Sequence, residues 1–227
     1  MQPFGLTPAD HVLVIAPHPD DETLGAGGTI ARLAECGIPV HVLAVACPAV
    51  ATGNAADRLD EFDTACDALG VAKRDVAWTG ARARHPGSCP RDLVTLIELD
   101  HSLSLHALRP TALLIPADGT FHQDHIAVHQ AALAAARPRG TCGPVPRIVL
   151  GYTGPEDRAW TAREGVVHVD TTAAWPRKEK ALNCYVSQLR RHCHPRNLDR
   201  IHAFDMASGA AIGTELAESF VPYRMGF

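Results

Sequence analysis

The feature that most constrains this chain is a short apolar run that stops abruptly at a dense polar cluster. Residues Val12–Ala16 are all apolar, and the next six are Pro17-His18-Pro19-Asp20-Asp21-Glu22. An apolar run of this length, ended by proline, is typical of a strand buried on both faces, as in a parallel sheet. Such a strand would deliver one imidazole and three carboxylates to one end of the sheet.

A second polar cluster follows another apolar run. Residues Ala112–Ile115 are apolar, residues 118–121 are typical of a turn, and His122-Gln123-Asp124-His125 come next. Imidazoles and carboxylates are common ligands of catalytic metal ions. We therefore interpret the two clusters as the two halves of one metal-dependent hydrolytic site.

Predicted strands alternate with predicted helices along most of the chain. The predicted strands are Val12–Ala16, Val40–Ala46, Asp75–Trp78, Thr111–Ile115, Arg147–Tyr152 and Gly165–Val169. The predicted helices are Thr23–Cys36, Ala56–Leu69, Arg91–Leu108, Asp124–Arg137 and Trp175–Arg191. The tail, residues 192–227, is only partly periodic. This alternation predicts an α/β fold, in which a mostly parallel sheet carries helices on both faces.

In such sheets, ligands bind beyond the carboxyl ends of the strands, at the point where the strand order reverses. If the order is 3-2-1-4-5, strands 1 and 4 are neighbours at that point. The His18 and His122 clusters follow those two strands. We therefore expect the site at the C-terminal ends of strands 1 and 4.

Composition limits the classes of partner. The chain has 227 residues, which is enough for one α/β domain, and we predict a single domain over residues 1–227. Its net charge of −4 gives no basic footprint for nucleic acid or anionic membranes. No apolar run approaches the ~18 residues of a membrane span, and no signal peptide is evident. The seven cysteines contain no CxxC pair, which favours reduced thiols and a cytoplasmic protein. Formation of a homo-oligomer stays open.

The residue types and their spacing suggest how a metal would be held. A catalytic zinc takes three protein ligands and leaves one position for water. His18 and Asp21 are three residues apart, so both could reach one ion across a turn, and His125 would supply the third ligand. Asp20 suits the role of general base. The same donors would also accept Fe²⁺ in place of Zn²⁺.

Two further residues of the second cluster are candidate catalytic groups. His122 could stabilise an oxyanion or protonate a leaving amine. Asp124 is placed to hold one of the imidazoles by a hydrogen bond. Glu22 could give similar support or cap the turn.

Each cluster also has an interpretation without metal. Asp20 and Asp21 could be caps of the helix that follows, because carboxylates favour helix N-termini. His122 and His125 could be surface residues at a helix start, or His125 could pair with His129 on one helical face. The joint occurrence of both clusters after two buried strands favours the metal site.

Three other patterns invite a functional interpretation. Gly25-Ala26-Gly27-Gly28 suggests a dinucleotide site, but Ile30 occupies the third glycine position and no acidic residue lies between Cys36 and Ala56. We expect these glycines to allow close packing of the first helix. His192-Cys193-His194 is interpreted as a surface turn. The loop at residues 79–90 is either a substrate-facing rim or a solvated basic loop.

The motifs resemble those of the PIG-L/LmbE-like N-acetylglucosamine deacetylase family. The matching segments are Pro17-His18-Pro19-Asp20-Asp21-Glu22-Thr23-Leu24-Gly25, Arg58-x-x-Glu61, Leu69-Gly70-Val71, His122-Gln123-Asp124-His125, Ser187-Gln188 and Ala217-Glu218-Ser219-Phe220. They span nearly the whole chain, and the two histidine motifs are highly specific.

The resemblance implies a Rossmann-like fold with zinc bound by His18, Asp21 and His125. It implies Asp20 as general base and His122 as the electrophilic or acid histidine. It also implies a small-molecule amino-sugar conjugate as substrate, whose N-acyl group is hydrolysed to acetate and a free amine. One departure is visible, because Tyr185 stands where many members have a histidine before Ser-Gln.

Alternatives to amino-sugar deacetylation remain at this point. The nearest is an amidase that acts on a non-sugar amide, such as a thiol conjugate. A binding protein on the same scaffold, with carboxylates that only cap a helix, would hold no stoichiometric metal. A subunit that depends on a partner would bind zinc and be inactive alone.

Overall fold

Seven strands form one mixed sheet in the computed structural model, which describes residues 2–47, 55–138, 145–160 and 166–226. The strands are β1 (Val12–Ala16), β2 (Val40–Ala46), β3 (Lys73–Trp78), β4 (Ala112–Pro116), β5 (Ile148–Tyr152), β6 (Val167–Asp170) and β7 (Ala217–Met225). Their order across the sheet is β3-β2-β1-β4-β5-β7-β6. Strands β1 to β5 pair in parallel, whereas β7 runs antiparallel to both β5 and β6. The prediction of a mostly parallel sheet is confirmed.

Helices cover both faces of the sheet. Within the described ranges they are α1 (Asp21–Glu35), α2 (Ala55–Leu69), α3 (Pro90–Glu98), α4 (Leu105–Leu108), α5 (Gln123–Ala135), α6 (Pro155–Arg158), α7 (Trp175–Cys184) and α8 (Leu198–Ala210). Side chains of a strand alternate between faces. Val12 and Val14 therefore pack with apolar side chains of α1, α2 and α7 on one face, while Leu13 and Ile15 pack with apolar side chains of α3 and α5 on the other.

The strand order reverses between β1 and β4, as assumed from the sequence. Val12 lies opposite Ala112 and Leu13 lies opposite Leu113 in this parallel pair. The polar segments that follow the two strands consequently leave the same edge of the sheet, side by side. This arrangement places both histidine clusters at the switch point of the fold.

The predicted helix Arg91–Leu108 is wrong, because it is interrupted after Glu98. Ser104 ends the interruption: its hydroxyl donates to the Leu99 carbonyl and accepts from the Ala107 N–H, so it caps the short helix α4. A side chain that bonds the local backbone in this way competes with helix continuation.

The last part of the chain also differs from the prediction. Helix α7 ends at Cys184, not at Arg191, and the tail contains α8 and β7, neither of which was predicted. Strand β7 was hard to recognise because Pro222 lies within it, and proline in a run argues against a strand. The pairing with β5 shifts register between Val149 and Leu150, close to that proline.

The glycines of α1 serve close packing, as expected. A Cβ at Gly25 would overlap the ring of Tyr152, and one at Gly28 would lie 2.8 Å from Thr171. The Gly28 N–H donates to Glu218 on β7. These positions therefore join α1 to β5 and β7.

Residue 165 of the predicted strand Gly165–Val169 lies outside the described residues. Within the part of the chain that is described, no helix has the length and apolarity needed to cross a membrane.

Candidate metal centre

Two segments at the switch point bring the candidate ligands together. His18 lies between β1 and α1, and Asp21 is the first residue of α1. His122 is the N-cap of α5, and His125 lies in its first turn. The short connections leave little freedom, because each helix begins within a few residues of its strand. The structure thus brings together the residues that the sequence singled out.

The side chains of His18, Asp21 and His125 form a buried triad with a spacing suited to one cation. Asp21 Oδ2 lies 3.4 Å from His18 Nδ1 and 3.2 Å from His125 Nε2. Ligands of a tetrahedral zinc, with bonds of ~2.0–2.1 Å, lie about 3.3 Å apart. The three donor atoms all lie within 4.8 Å of one another. The residues present therefore fit a divalent metal.

The electrostatics of the triad favour positive charge between its members. Burial disfavours a charged His18, but the hydrogen bonds and charges of Asp124 and Asp21 outweigh it and raise the pKa of His18 to about 9. Burial likewise opposes ionisation of Asp21, yet His125 and His18 hold its pKa well below the usual range. The surrounding carboxylates thus favour a positive charge at this position, and metal binding to such sites releases protons.

Asp124 orients the ring of His18. Its Oδ2 lies 3.0 Å from His18 Nε2, and its Oδ1 accepts from the Gly87 N–H at 3.1 Å. Burial opposes its ionisation, but these two hydrogen bonds lower its pKa to about 2. A carboxylate on the far nitrogen of a ligating histidine fixes the tautomer and the ring orientation. The structure therefore assigns Asp124 to the imidazole of His18, not to that of His122.

His122 lies beside the triad and is exposed. Its ring centroid is 5.2 Å from that of His18 and 4.8 Å from that of His125. Its Nδ1 accepts from the Asp124 N–H at 3.2 Å, so its neutral form carries the proton on Nε2. Partial burial of the ring and the charges of the two other histidines lower the pKa of His122. A second group, His18, His122 and Asp124, also has metal-ligand spacing, but the first group is the one that is fully buried.

Asp20 is a buried carboxylate held by two guanidinium groups. Its Oδ2 accepts from Arg196 at 2.9 Å and lies 3.4 Å from Arg58 Nη2. Its Oδ1 is buried without a hydrogen-bond partner among the described residues. Burial and the charge of Asp21 raise the pKa of Asp20 to about 7, against the two opposing arginines. The backbone φ of +119° at Asp20 is a conformation that non-glycine residues rarely adopt, and such strain clusters at functional sites.

A cavity of about 620 Å³ opens beside His122 and Asp124. It is lined by His85, Gly87, Ser88, Phe121, His122, Gln123 and Asp124. Within the described ranges it is thus bordered by the segment after β4 and by the loop after β3. The loop 79–90 consequently contributes to the rim of the site through its second half.

Comparison with known proteins decides the family. The model of the PIG-L family, described as GlcNAc-PI de-N-acetylase, matches residues 13–136, which is more than half of the chain. The chain belongs to the PIG-L family. The matched range includes the whole His18–Asp21–His125 triad together with Asp20, His122 and Asp124.

This PIG-L chain is also similar to individual known proteins. It is 32% identical over 160 residues to 1D-myo-inositol 2-acetamido-2-deoxy-alpha-D-glucopyranoside deacetylase 2 of Catenulispora acidiphila, over 58% of this chain and 53% of that protein. The chain spans about half the length of the curated relatives it matches first. The conserved protein TT1542 of Thermus thermophilus has 26% identity and a TM-score of 0.76, over 95% of both chains.

The PIG-L fold alone does not decide the reaction. The solved structure of GalB, a 4-carboxy-2-hydroxymuconate hydratase of Pseudomonas putida KT2440, matches with a TM-score of 0.66 and 18% identity, over 94% of this chain and 96% of that one. Function therefore has to be argued from the residues of the site.

One group of this PIG-L site was missed by sequence reasoning. Arg196 lies between α7 and α8, and besides Asp20 it pairs with Glu156 of α6. It is 176 residues from Asp20, in a segment without periodicity, so no local pattern indicated it. Arg58, part of the family motif, also donates to the Pro19 carbonyl at 2.9 Å and steadies the loop.

Tyr185, the departure from the PIG-L pattern, has a structural role here. Its ring is buried and its hydroxyl donates to Glu22 Oε1 at 2.6 Å. The other oxygen of Glu22 accepts from the Asp20 N–H at 3.1 Å. Tyr185 thus supports the strained loop through Glu22.

The remaining histidine candidates lie apart from the triad. His129 Nδ1 lies 2.9 Å from the Pro116 carbonyl, and its ring packs on Tyr223. His192 and His194 are exposed, as a surface turn predicts. In the loop 79–90, Arg84 pairs with Asp92 and lines a separate cavity of about 480 Å³.

Proposed function

We propose that this chain is a metal-dependent hydrolase that removes the N-acetyl group from an N-acetylglucosamine-type amino sugar or its conjugate. The observation that carries the proposal is the spacing of 3.2 and 3.4 Å within the buried His18–Asp21–His125 triad. When bound there, Zn²⁺ or Fe²⁺ would polarise the amide carbonyl and lower the pKa of a water molecule from ~15.7 towards 7.

Asp20 is the general base of the proposed reaction. Its Oδ1 is buried and unpartnered among the described residues, so it can accept the proton of the attacking water. Its Oδ2 is held by Arg196 and Arg58, which keeps the carboxylate in one orientation. Burial and the neighbouring charge of Asp21 raise the pKa of Asp20, which favours proton uptake by this carboxylate.

His122 acts on the substrate side of the reaction. Its Nε2–H can donate to the oxygen of the tetrahedral intermediate and so stabilise the negative charge that develops there. When the C–N bond breaks, the proton that Asp20 took from the water passes to the amide nitrogen, which leaves as the free amine. The acyl carbon keeps the oxygen of the water and leaves as acetic acid, which ionises to acetate. Asp124 keeps the neighbouring His18 ring in place throughout.

The amino-sugar substrate is supported by the names of the curated relatives, which are deacetylases of an acetamido-glucopyranoside. The second candidate is the same chemistry on a non-sugar amide, such as a thiol conjugate. Amine release from N-acetylglucosamine conjugates and from cysteine-conjugate amides, assayed side by side, separates the two. Faster release from the non-sugar amides would contradict the amino-sugar assignment.

The metal and the base are tested together by two variants. His125→Ala removes a ligand, so we expect it to lose both the bound metal and the activity. Asp20→Asn preserves the shape of the side chain but cannot take a proton, so we expect about one metal per chain and a rate lower by ~10²–10⁴-fold. Metal content by mass spectrometry and amine release before and after chelation are the measurements.

His192→Ala is the matched control for the loss of an imidazole, since His192 is exposed in the turn before α8. It should keep the metal and the wild-type rate. If Asp20→Asn remains near the wild-type rate, Asp20 is not the base. If wild-type protein holds no metal and addition of metal gives no activity, the proposal fails.

A further inference from the structure

Two exposed aromatic side chains contact each other at the edge of the candidate site. Phe121 is 66% exposed and Trp160 is 75% exposed. Their ring centroids lie 5.6 Å apart, with an angle of 63° between the ring planes. A cluster of large apolar surface that the fold leaves in water is typical of an interaction site. Packing of the protein core consequently does not explain why these two rings lie at the surface.

The pair is continuous with the proposed active site. Phe121 directly precedes His122 and lines the same cavity of about 620 Å³. Trp160 follows α6, the helix whose Glu156 binds Arg196, the partner of Asp20. The pair thus bridges the segment after β4 and the end of α6, and both segments lie beyond the carboxyl ends of the central strands.

Two arginines, one on α6 and one bound to it, pair with carboxylates. Arg158 of α6 pairs with Asp205 at 2.8 Å. Arg196 pairs with both Asp20 and Glu156. These guanidinium groups are therefore engaged by carboxylates, and the surface offered by the pair itself is uncharged and aromatic. Such a surface favours an apolar group over a phosphate or a carboxylate.

We propose that Phe121 and Trp160 form a subsite for an apolar aglycone, meaning an uncharged aromatic group attached to the anomeric oxygen of the amino sugar. This inference rests on the proposed function and deepens it by naming the substrate class. A substrate aglycone that packs on the two rings buries apolar surface while the acetamido group lies near His122. An aromatic contact contributes about a 2- to 12-fold preference per ring.

The test compares two substrates that differ only in the aglycone, the methyl and phenyl β-glycosides of N-acetylglucosamine. We expect wild-type enzyme to prefer the phenyl glycoside through a lower KM. Phe121→Ala and Trp160→Ala should each raise the KM for the phenyl glycoside, relative to the KM for the methyl glycoside, by about 2- to 12-fold. Trp160→Ala should retain the kcat and the methyl glycoside kinetics. Trp160→Phe, which keeps an aromatic ring, should retain most of the preference.

Leu99→Ala is the matched control, because Leu99 is 47% exposed but follows α3 and does not line the cavity beside the triad. It should leave both substrates unaffected. If the alanine variants lower kcat/KM equally for both glycosides, the pair has only a structural role and the proposal is overturned. If sedimentation shows a dimer that Trp160→Ala converts to a monomer, the rings form a subunit interface and the proposal is likewise overturned.

Binding of the phenyl glycoside, measured by calorimetry independently of turnover, separates this inference from the proposed function. If wild-type protein binds the phenyl glycoside, the alanine variants bind it more weakly and the amide is not hydrolysed, the subsite is supported and the deacetylase assignment fails. If both variants hydrolyse the amide and keep the wild-type preference for the phenyl glycoside, the subsite is overturned and the deacetylase assignment is retained. Absence of binding and of hydrolysis in wild-type protein overturns both.

Discussion

At the scale of single residues, Asp124 connects the two loops of the candidate site. One of its oxygens faces the ring of His18 and the other accepts from the Gly87 N–H. Its own N–H donates to His122. One residue therefore sets the orientation of a proposed metal ligand, of the loop after β3 and of the proposed oxyanion donor.

Replacement of Asp124 by asparagine should weaken metal binding by 10–100-fold, the usual cost of losing a carboxylate behind a ligating histidine. The neutral amide no longer stabilises the proton on His18 Nε2 that accompanies metal binding through Nδ1. Competition with a chromogenic chelator measures the affinity. Asp67→Asn, at an exposed position of α2, is the control and should bind metal as wild type does. Equal affinities of the two variants would contradict the orienting role.

Some residues of the site could be predicted from the sequence, and others could not. His18, Asp21 and His125 follow apolar runs and have ligand chemistry, so a pattern of a few residues was sufficient. Arg196 could not be found in this way, because its position opposite Asp20 depends on the packing of α6 and α8. The catalytic roles of Asp20, His122 and Asp124 stay predictions until the variants are measured.

At the scale of elements, β2 carries a histidine within an otherwise apolar strand. The ring of His41 stacks on His11 with centroids 5.6 Å apart, and its Nδ1 is buried without a partner among the described residues. Burial, with the charges of His11 and Lys73, lowers the pKa of His41 to about 4. The folded strand consequently accommodates only the neutral ring above that pH.

This shift predicts that acid destabilises the fold. Between pH 6.5 and 4 the unfolded chain binds a proton at His41 and the folded chain does not, so the free energy of unfolding falls as the pH falls. The contribution of one such group is at most about 1.4 kcal/mol per pH unit. Urea unfolding at pH 7 and at pH 5 should show a smaller fall in the free energy of unfolding for His41→Gln than for wild type. His106→Gln, at an exposed site of α4, is the control, and an equal fall in all three proteins would refute the assignment.

Element boundaries were predictable where local signals set them and not where distant contacts did. The bounds of β1 and β2 follow from their apolar runs alone. Helix α7 ends at Cys184 because the next residue, Tyr185, turns inward to reach Glu22 at the other end of the chain. A contact between residues 163 positions apart leaves no periodic trace in the sequence.

At the scale of the whole molecule, a buried ionic network ties the last elements to the first helix. Lys178 Nζ lies 2.5 Å from Asp205 and 2.7 Å from Glu218, and all three side chains are fully buried. Glu218 also accepts from the N–H groups of Gly28 and Thr29. The network therefore joins α1, α7, α8 and β7, although the assignment of residues 1–227 to a single deacetylase domain stays a prediction.

Lys178→Met should destabilise the protein by about 3–5 kcal/mol, because it leaves Glu218 buried without its cation and removes one of the two cations that pair with Asp205. The expected result is a large drop in the midpoint of urea unfolding. Lys180→Met, an exposed neighbour on the same helix, is the control and should change stability little. A loss of less than about 1 kcal/mol in Lys178→Met would mean that water or rearrangement compensates the pair.

The insertion of β7 between β5 and β6 has a consequence for biosynthesis. His18, Asp21 and His125 leave the ribosome well before Arg196 and Glu218, so a nascent chain carries all three proposed metal ligands while its sheet still lacks an interior strand. Such an intermediate exposes strand edges, which makes it prone to aggregation. Translation that stops before residue 196 would yield a product with every proposed ligand but with only one, Arg58, of the two guanidinium groups that hold Asp20.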